Sequence, residues 1–353
     1  MTFYPLQVKD IRQETSDCVS VAFVIPPQYK DVFAFQQGQY LTLRTHIEGE
    51  EVRRSYSICT APQDNDLRVA IKQVENGKFS TYANCLLKKG DTLEAMPPMG
   101  NFYTPLSISN VKSYVFFAAG SGITPVISNI KAILRTEPQS YCTLLYGNQR
   151  VSTIIFKEDI EALKNQHLGR FQVFNILSRE STESNLMHGR LDKAKIADFM
   201  QKIPSILRGD AFFACGPVEM IEAMRNVLNQ LGIEENKIHF ELFNAPKVKA
   251  KQKIINAAVE SHAFIKLDGL TIEVPIEKGQ NILDAAQLVG ADVPYACKGG
   301  VCCTCRAKLV EGEIEMQANY SLTKEEVAQG FILTCQAVPK TRKVVIDFDT
   351  KWG

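Results

Sequence analysis

The sequence predicts a multidomain chain: an antiparallel β-barrel, then an α/β domain with a doubly wound parallel sheet, then a small α+β domain. Three observations predict it. Residues 1–106 break into short β-rich runs separated by Pro, Gly, Asp and Asn. From Lys112 near-continuous apolar strands alternate with helices, the pattern of a parallel sheet covered on both faces. Near the end, Cys297, Cys302 and Cys305 stand in C-x4-C-x2-C spacing, and Cys335 follows 30 residues later.

In the first region the predicted strands are Leu6–Val8, Val19–Ile25, Tyr40–Arg44, Arg54–Ile58, Leu67–Val74 and Thr92–Ala95, with one helix over 79–88. In the second, strands at Tyr114–Ala118, Cys142–Tyr146, Phe171–Leu177, Ala211–Cys215 and Ile238–Leu242 alternate with helices at Thr124–Leu134, Glu158–Gln166, Lys193–Gln201 and Val218–Leu231. Residues 244–260 carry four lysines, one glutamate and a proline, and read as a solvated linker. Beyond it, Ala263–Leu267 and Thr271–Pro275 read as a hairpin turning at Asp268-Gly269, and Asn281–Val289 as a helix. The expected domains are 1–107, 108–243 and 261–353, joined by the 244–260 linker.

The spacing of Cys297, Cys302, Cys305 and Cys335 matches the plant-type arrangement of four thiolates around a [2Fe–2S] cluster. A structural zinc site more often shows paired C-x2-C knuckles, and here only Cys302 and Cys305 have that spacing. Gly299 and Gly300 allow the tight backbone that a cluster loop needs. Cys303, between two ligands, reads as a small buried apolar residue.

The chain has 353 residues, 45% hydrophobic and 22% charged, with a formal net charge of +1. That length suits two or three domains, and that charge points to neither nucleic acid nor a membrane surface. Ten cysteines without a secretory n- and h-region suggest a reducing compartment, the cytoplasm. No stretch reaches the roughly 18 apolar residues of a spanning helix.

Four further motifs carry chemistry. Arg54-Ser55-Tyr56-Ser57 offers a guanidinium fork for phosphate, a ring to cover a flat cofactor and a hydroxyl for a ring nitrogen. An exposed strand could carry the same residues. Gly77-Lys78-Phe79-Ser80 is a glycine turn opening a helix, suited to a pyrophosphate or only to an N-cap. Gly120-Ser121-Gly122-Ile123-Thr124-Pro125 links a strand to a helix, and Cys215-Gly216-Pro217 does so again. In open α/β sheets ligands bind outside the carboxyl ends of strands, so both motifs face one crevice.

Together, in this order, the motifs over residues 1–243 resemble the ferredoxin–NADP reductase superfamily. Residues 260–353 resemble a fused plant-type ferredoxin, which implies a β-grasp fold. The reductase-first order is similar to that of the phenylacetyl-CoA epoxidase reductase family. The resemblance implies that Arg54, Gly77, Phe79 and Ser80 bind the FAD pyrophosphate. It implies that Tyr56 lies along the isoalloxazine and that Ser57 bonds near flavin N5. Gly120, Gly122, Thr124 and Pro125 would form the nicotinamide-nucleotide turn, with Cys215 and Gly216 by the nicotinamide. Glu241 and Phe243 match the family's E-x-F ending near the flavin. Ser57, Cys215 and Glu241 are thus the expected catalytic residues.

Ser178-Arg179, after Phe171–Leu177, matches a pair that binds the 2′-phosphate in NADP-using relatives, with Glu180 beside it as a competing anion. NADPH is therefore the expected donor and NADH the alternative. The implied path runs from NADPH through FAD and the [2Fe–2S] cluster to a partner oxygenase, with a di-iron phenylacetyl-CoA epoxidase component first. Reductases of membrane hydroxylases or fatty-acyl desaturases are alternatives, as is a flavin oxidoreductase with a non-redox zinc module.

Overall fold

The structure, a computed structural model, describes residues 2–182, 184–243 and 260–350. The linker expected at 244–260 lies outside the described residues except for Glu260. Contacts group the chain into two units: Pro5–Val52 with Tyr56–Phe243, and Met1–Tyr4 with Arg53–Ser55 and Asn244–Gly353.

The larger unit begins with β1 (Tyr4–Thr15), β2 (Cys18–Val24), β3 (Tyr40–Ile47), β4 (Glu50–Ser57), β5 (Leu67–Lys72), α1 (Lys78–Cys85) and β6 (Thr92–Ala95). The sheet order is β4-β3-β6-β1-β2-β5, and a bridge from Ile58 to Val69 joins its two ends into a barrel. Three of these strands exceed their expected lengths, β3 by running on from Arg44 to Ile47. β1 continues past Val8 through a polar run, with register shifts at Val8/Asp10 and Gln13/Thr15. Those bulges hide the alternation that a strand would show. β4 begins at Glu50 because Glu48 and Gly49 both take positive φ, 53° and 81°, and turn the chain tightly. Glu gives no turn signal of the Asn-Gly or Asp-Gly kind, so the sequence hides this hairpin.

Next come β7 (Ser113–Ala119), α2 (Ile123–Thr136), β8 (Tyr141–Asn148), α3 (Lys157–Gln166) and β9 (Phe171–Leu177). They are followed by α4 (Lys193–Lys202), α5 (Pro204–Leu207), β10 (Ala211–Cys215), α6 (Val218–Gln230) and β11 (Ile238–Glu241). The five strands are parallel in the order β11-β10-β7-β8-β9. Strand order reverses between β7 and β10, which is where an open α/β sheet binds its ligand. Phe213 on β10 stacks on Phe116 at 5.2 Å and on His239 at 4.6 Å, and meets the edge of Phe102 at 5.4 Å.

Helix α2 is buried almost all round, including two fully buried polar residues, Ser128 and Asn129. Such a helix sits inside a core rather than on its surface. Both polar side chains bond to barrel backbone. Ser128 Oγ donates to the Thr60 carbonyl at 2.6 Å and accepts from Gly38 N at 3.2 Å. Asn129 Nδ2 donates to the Phe102 carbonyl at 2.9 Å. Gly38 is left-handed, φ 78°, and a Cβ there would lie 2.1 Å from the Phe102 oxygen, so the barrel loop lies flat against α2.

In the second unit β12 (Ser261–Leu267) and β13 (Leu270–Ile276) form the hairpin expected at Asp268-Gly269, whose φ angles are 51° and 80°. Then follow α7 (Ile282–Leu288), β14 (Arg306–Glu311), β15 (Ile314–Met316), α8 (Lys324–Ala328), β16 (Phe331–Leu333), β17 (Ala337–Pro339) and β18 (Lys343–Asp347). The main sheet runs β13-β12-β18-β14-β16, with β12 and β18 parallel and the other pairs antiparallel. A mixed sheet crossed by one helix is the expected β-grasp arrangement. Arg306 is buried beneath this sheet's edge, 3.7 Å from the Phe331 ring centroid and 2.7 Å from Glu326.

Ser128→Ala would strand the Thr60 carbonyl and the Gly38 N–H in the core. The larger unit is expected to lose about 1–3 kcal/mol of unfolding free energy, measured by urea titration.

Candidate functional site: the switch point and the cysteine loop

The carboxyl ends of β7, β10 and β11 form one row. Cys215 pairs with Ala118 on one side and Glu241 on the other. Gly122 and Cys215 touch through backbone: a Cβ on Gly122 would lie 2.0 Å from the Cys215 carbonyl oxygen. Gly216 is less confined, since a Cβ there would lie 2.7 Å from Met220 Cε, the end of a flexible side chain. Gly120, with φ 53°, faces open space and receives the Tyr146 hydroxyl on its carbonyl at 3.0 Å. Thr124 is buried, its Oγ1 donating to Ser121 O at 3.0 Å, and Pro125 is buried in the first turn of α2.

Ser57, the last residue of β4, reaches this row from the barrel. Its Oγ donates to Glu241 Oε2 at 3.0 Å. Burial pushes the Glu241 carboxyl up to about 8, against the Ser57 bond that favours the carboxylate. Glu241 is therefore mostly protonated at neutral pH. Burial, and then the Glu241 charge, push the Cys215 thiol well above its usual range, so it stays a neutral thiol. Phe243 lies two residues beyond Glu241 and is 37% exposed.

On the barrel, the Tyr56 and Phe79 rings meet at 5.4 Å, tilted by 42°, which joins the Arg-x-Tyr-Ser strand to α1. Arg54 is exposed, and its Nη1 donates to the Arg53 carbonyl at 2.7 Å. Gly77, rather than Ser80 or Thr81, caps α1, and no side chain covers the helix start. A Cβ on Gly77 would lie 2.3 Å from Ser80 Oγ. Ser80 Oγ closes the turn, donating to Gly77 O at 3.1 Å and accepting from Val74 N at 3.2 Å. Free N–H groups at a bare helix start suit a phosphate, so these residues fit an FAD pyrophosphate. Lys78 is paired with Glu50.

Beside the row a cavity of about 500 Å³ is lined by Ala119, Asn148, Ser178, Arg190, Pro217 and Met220 among others. Ser178 is held by Asn148 O, at 2.9 Å from its N and 3.3 Å from its Oγ. Arg179 is exposed, and Glu180 turns to accept the Val151 N–H at 2.8 Å. The sequence reading missed Arg190. Leu177 N donates to Met187 O at 2.8 Å and Gly189 N to Leu177 O at 2.9 Å, which brings 187–190 alongside the end of β9. A basic residue after a glycine was the one signal in the sequence. A wider cleft of about 1110 Å³, lined by Arg12, Arg68, Lys131 and Asp159, lies elsewhere. Charges there already pair, Arg68 with Asp66 at 3.1 Å and Lys131 with Asp159 at 2.7 Å.

The four predicted cluster cysteines come together in two pairs. Cys302 and Cys297 sulfurs are 3.1 Å apart, and the Cys305 thiol bonds to Cys335. Two thiols per metal is the donor set of a binuclear centre. Gly299 N and Cys302 N point at Cys297 Sγ at 3.3 and 3.4 Å. The Cys302 thiol and these N–H groups hold Cys297 down at about 6. Gly300 takes φ 74°, and a Cβ there would lie 3.0 Å from the Ala318 oxygen. Lys298 is also left-handed, at 50°, whereas Gly299 is not. Cys303 is buried at 2% exposure. The loop fits a [2Fe–2S] cluster held by thiolates.

Gly122→Ala is expected to cost about 1–3 kcal/mol by overpacking, read as a lowered Tm. Glu241 is a weaker acid in the folded chain than in the unfolded one. Its contribution to stability is complete below the unfolded value near 4.5 and is lost as pH rises through about 8. Glu241→Gln should therefore flatten the fall of Tm between pH 5 and pH 9.

Comparison with known proteins identifies the three regions of the chain. Residues 5–103 match the oxidoreductase FAD-binding domain, 116–226 the oxidoreductase NAD-binding domain, and 265–340 the 2Fe-2S iron-sulfur cluster binding domain. The chain is 39% identical to a subunit of the 1,2-phenylacetyl-CoA epoxidase of Escherichia coli K12, covering 99% of each chain. It is 32% identical to the ferredoxin reductase component of 3-ketosteroid-9-alpha-monooxygenase from Rhodococcus rhodochrous, covering 97% of this chain and 96% of that one. The phthalate dioxygenase reductase structure shares the fold, with TM-score 0.59, 22% identity and 98% coverage of both chains. The chain belongs to the ferredoxin reductase-type family of flavin iron–sulfur oxidoreductases, with FAD-binding, NAD-binding and [2Fe–2S] domains.

Proposed function

We propose that this chain is the NADPH-dependent reductase of an oxygenase system, a di-iron phenylacetyl-CoA epoxidase component being the first acceptor to test. The carrying observation is the row Ala118–Cys215–Glu241, with Ser57 bonded to Glu241 and Gly122 against Cys215. It gathers Ser57, Gly122, Cys215 and Glu241, one residue from each of four motifs, at the switch point. The names of the two relatives, each a reductase component or subunit of an oxygenase, support the acceptor class. In this reading the functional limits are 1–107, 108–243 and 261–353.

FAD and the cluster, when bound, supply the conversion of two-electron hydride chemistry into single-electron transfer. The chain's own residues do the rest. Arg54, Gly77, Phe79 and Ser80 hold the flavin pyrophosphate, and Tyr56 covers the ring. Gly120, Gly122, Thr124 and Pro125 receive the nicotinamide nucleotide, and Gly216 keeps the backbone close. Ser57 and the neutral Cys215 orient and polarise, while Glu241 holds a proton near neutral pH and its Oε2 accepts the Ser57 hydroxyl. Cys297, Cys302, Cys305 and Cys335 hold the irons. A reducing compartment, the cytoplasm, suits Cys18, Cys59, Cys85, Cys142, Cys215 and Cys303, which are neither cluster ligands nor disulfide-bonded. Among the described residues no helix is long and apolar enough to cross a membrane.

NADPH is preferred because Ser178 and Arg190 line the nucleotide cavity, Arg179 is exposed beside it, and Glu180 is turned away. A guanidinium–phosphate bond is worth about 1.5–3 kcal/mol, or about 10–100-fold. Arg179→Ala and Arg190→Ala are each expected to raise KM for NADPH by about that factor, with little change for NADH. Equal effects on the two donors would reject the assignment. The function itself is tested by anaerobic titration with NADPH. Bleaching of both the flavin bands and the iron–sulfur shoulder is expected, and bleaching of flavin alone would reject the path.

A further inference from the structure

Asn148 is the last residue of β8 and is 8% exposed. Its side chain lines the nucleotide cavity with Ser178 and Arg190. Its Nδ2 is buried and has no hydrogen-bond partner. Buried amide donors are rarely left unpaired, because the lost water is not replaced. Asn148 O accepts both Ser178 N and Ser178 Oγ. The Tyr146 hydroxyl donates to Gly120 O at 3.0 Å and is the protein group beside the Asn148 amide, its oxygen still able to accept, yet no acceptor completes a hydrogen bond with Nδ2.

Register places the residue between two halves of one ligand. Gly147 pairs with Ala119, at the mouth of the glycine turn after β7, and Asn148 pairs with Leu177, just before Ser178-Arg179. The first neighbour suits the dinucleotide phosphates and the second a 2′-phosphate. What lies between them in a nicotinamide dinucleotide is the adenosine ribose, which offers oxygen acceptors.

We propose that Asn148 binds the nicotinamide nucleotide directly, its Nδ2 donating to a ribose–phosphate oxygen on the adenosine half. This rests on the nucleotide-cavity reading above. The competing account is internal: Asn175 Oδ1, on the neighbouring strand, is also buried and unpaired, and a water could join the two amides.

Asn148→Asp keeps the shape and replaces the donor by an acceptor. Asn148→Ser keeps a smaller donor and serves if the aspartate variant fails to fold. Both are compared with Arg190→Ala in the FAD-loaded full chain, by calorimetric titration with NADP⁺ and with 2′,5′-ADP. Asn148→Asp is expected to raise Kd for both ligands about 10–100-fold, and Asn148→Ser about 3–10-fold, with Tm little changed. If both variants bind within about twofold of wild type while Arg190→Ala weakens binding, the amide serves Asn175 and the proposal is overturned. If Arg190→Ala also leaves both affinities unchanged, the cavity reading fails and takes this inference with it.

Discussion

The larger unit depends on the burial of α2 between the barrel and the parallel sheet. Its apolar faces are supplied by Ile123, Val126, Ile127, Ile130 and Ile133, all fully buried. Each contributes about 1.5–3 kcal/mol by leaving water. Apolar burial alone would let the helix slide or turn. Ser128 and Asn129 remove that freedom, because their bonds to Thr60, Gly38 and Phe102 have one register. With α2 fixed, the turn that starts it is fixed too, and Gly122 is pressed onto the Cys215 carbonyl. The same docking brings the end of β4 to the end of β11, where Ser57 meets Glu241.

The chemistry at that junction follows from desolvation more than from charge pairing. Cys215 and Glu241 are neighbours across a parallel pair, and burial favours the neutral form of each. Neutral groups can sit against an uncharged ring system without a counter-ion. The cysteine loop works the other way. N–H groups of Gly299, Val301 and Cys302 gather around Cys297 and favour its thiolate. One chain thus keeps one cysteine protonated and another ready to ionise, by backbone geometry and burial.

Most of the architecture was legible because strand and helix periods differ and because Gly, Pro and Asp-Gly mark the turns. The five parallel strands, the Asp268-Gly269 hairpin and the cysteine spacing could all be read directly. The first strand's true length was hidden by two bulges, and β4's start by a Glu-Gly turn. No strand after the cysteine loop was predicted: β15, β16 and β17 are three residues each, too short to show a period, but β14 (Arg306–Glu311) and β18 (Lys343–Asp347) are longer and were missed as well. At the site, residues carried by contiguous motifs were visible. Arg190 and Asn148 were not, since their place in the cavity comes from chain pairing at the ends of β8 and β9.

Cys215 sits at the middle of the row at the switch point, between Ala118 and Glu241. Stopped-flow reduction of flavin by NADPH in Cys215→Ser, without oxygen, tests its orienting role most directly. Reduction is expected to slow by about tenfold or more, with flavin and iron content unchanged, a barrier raised by at least about 1.4 kcal/mol. Reduction at the wild-type rate would contradict it.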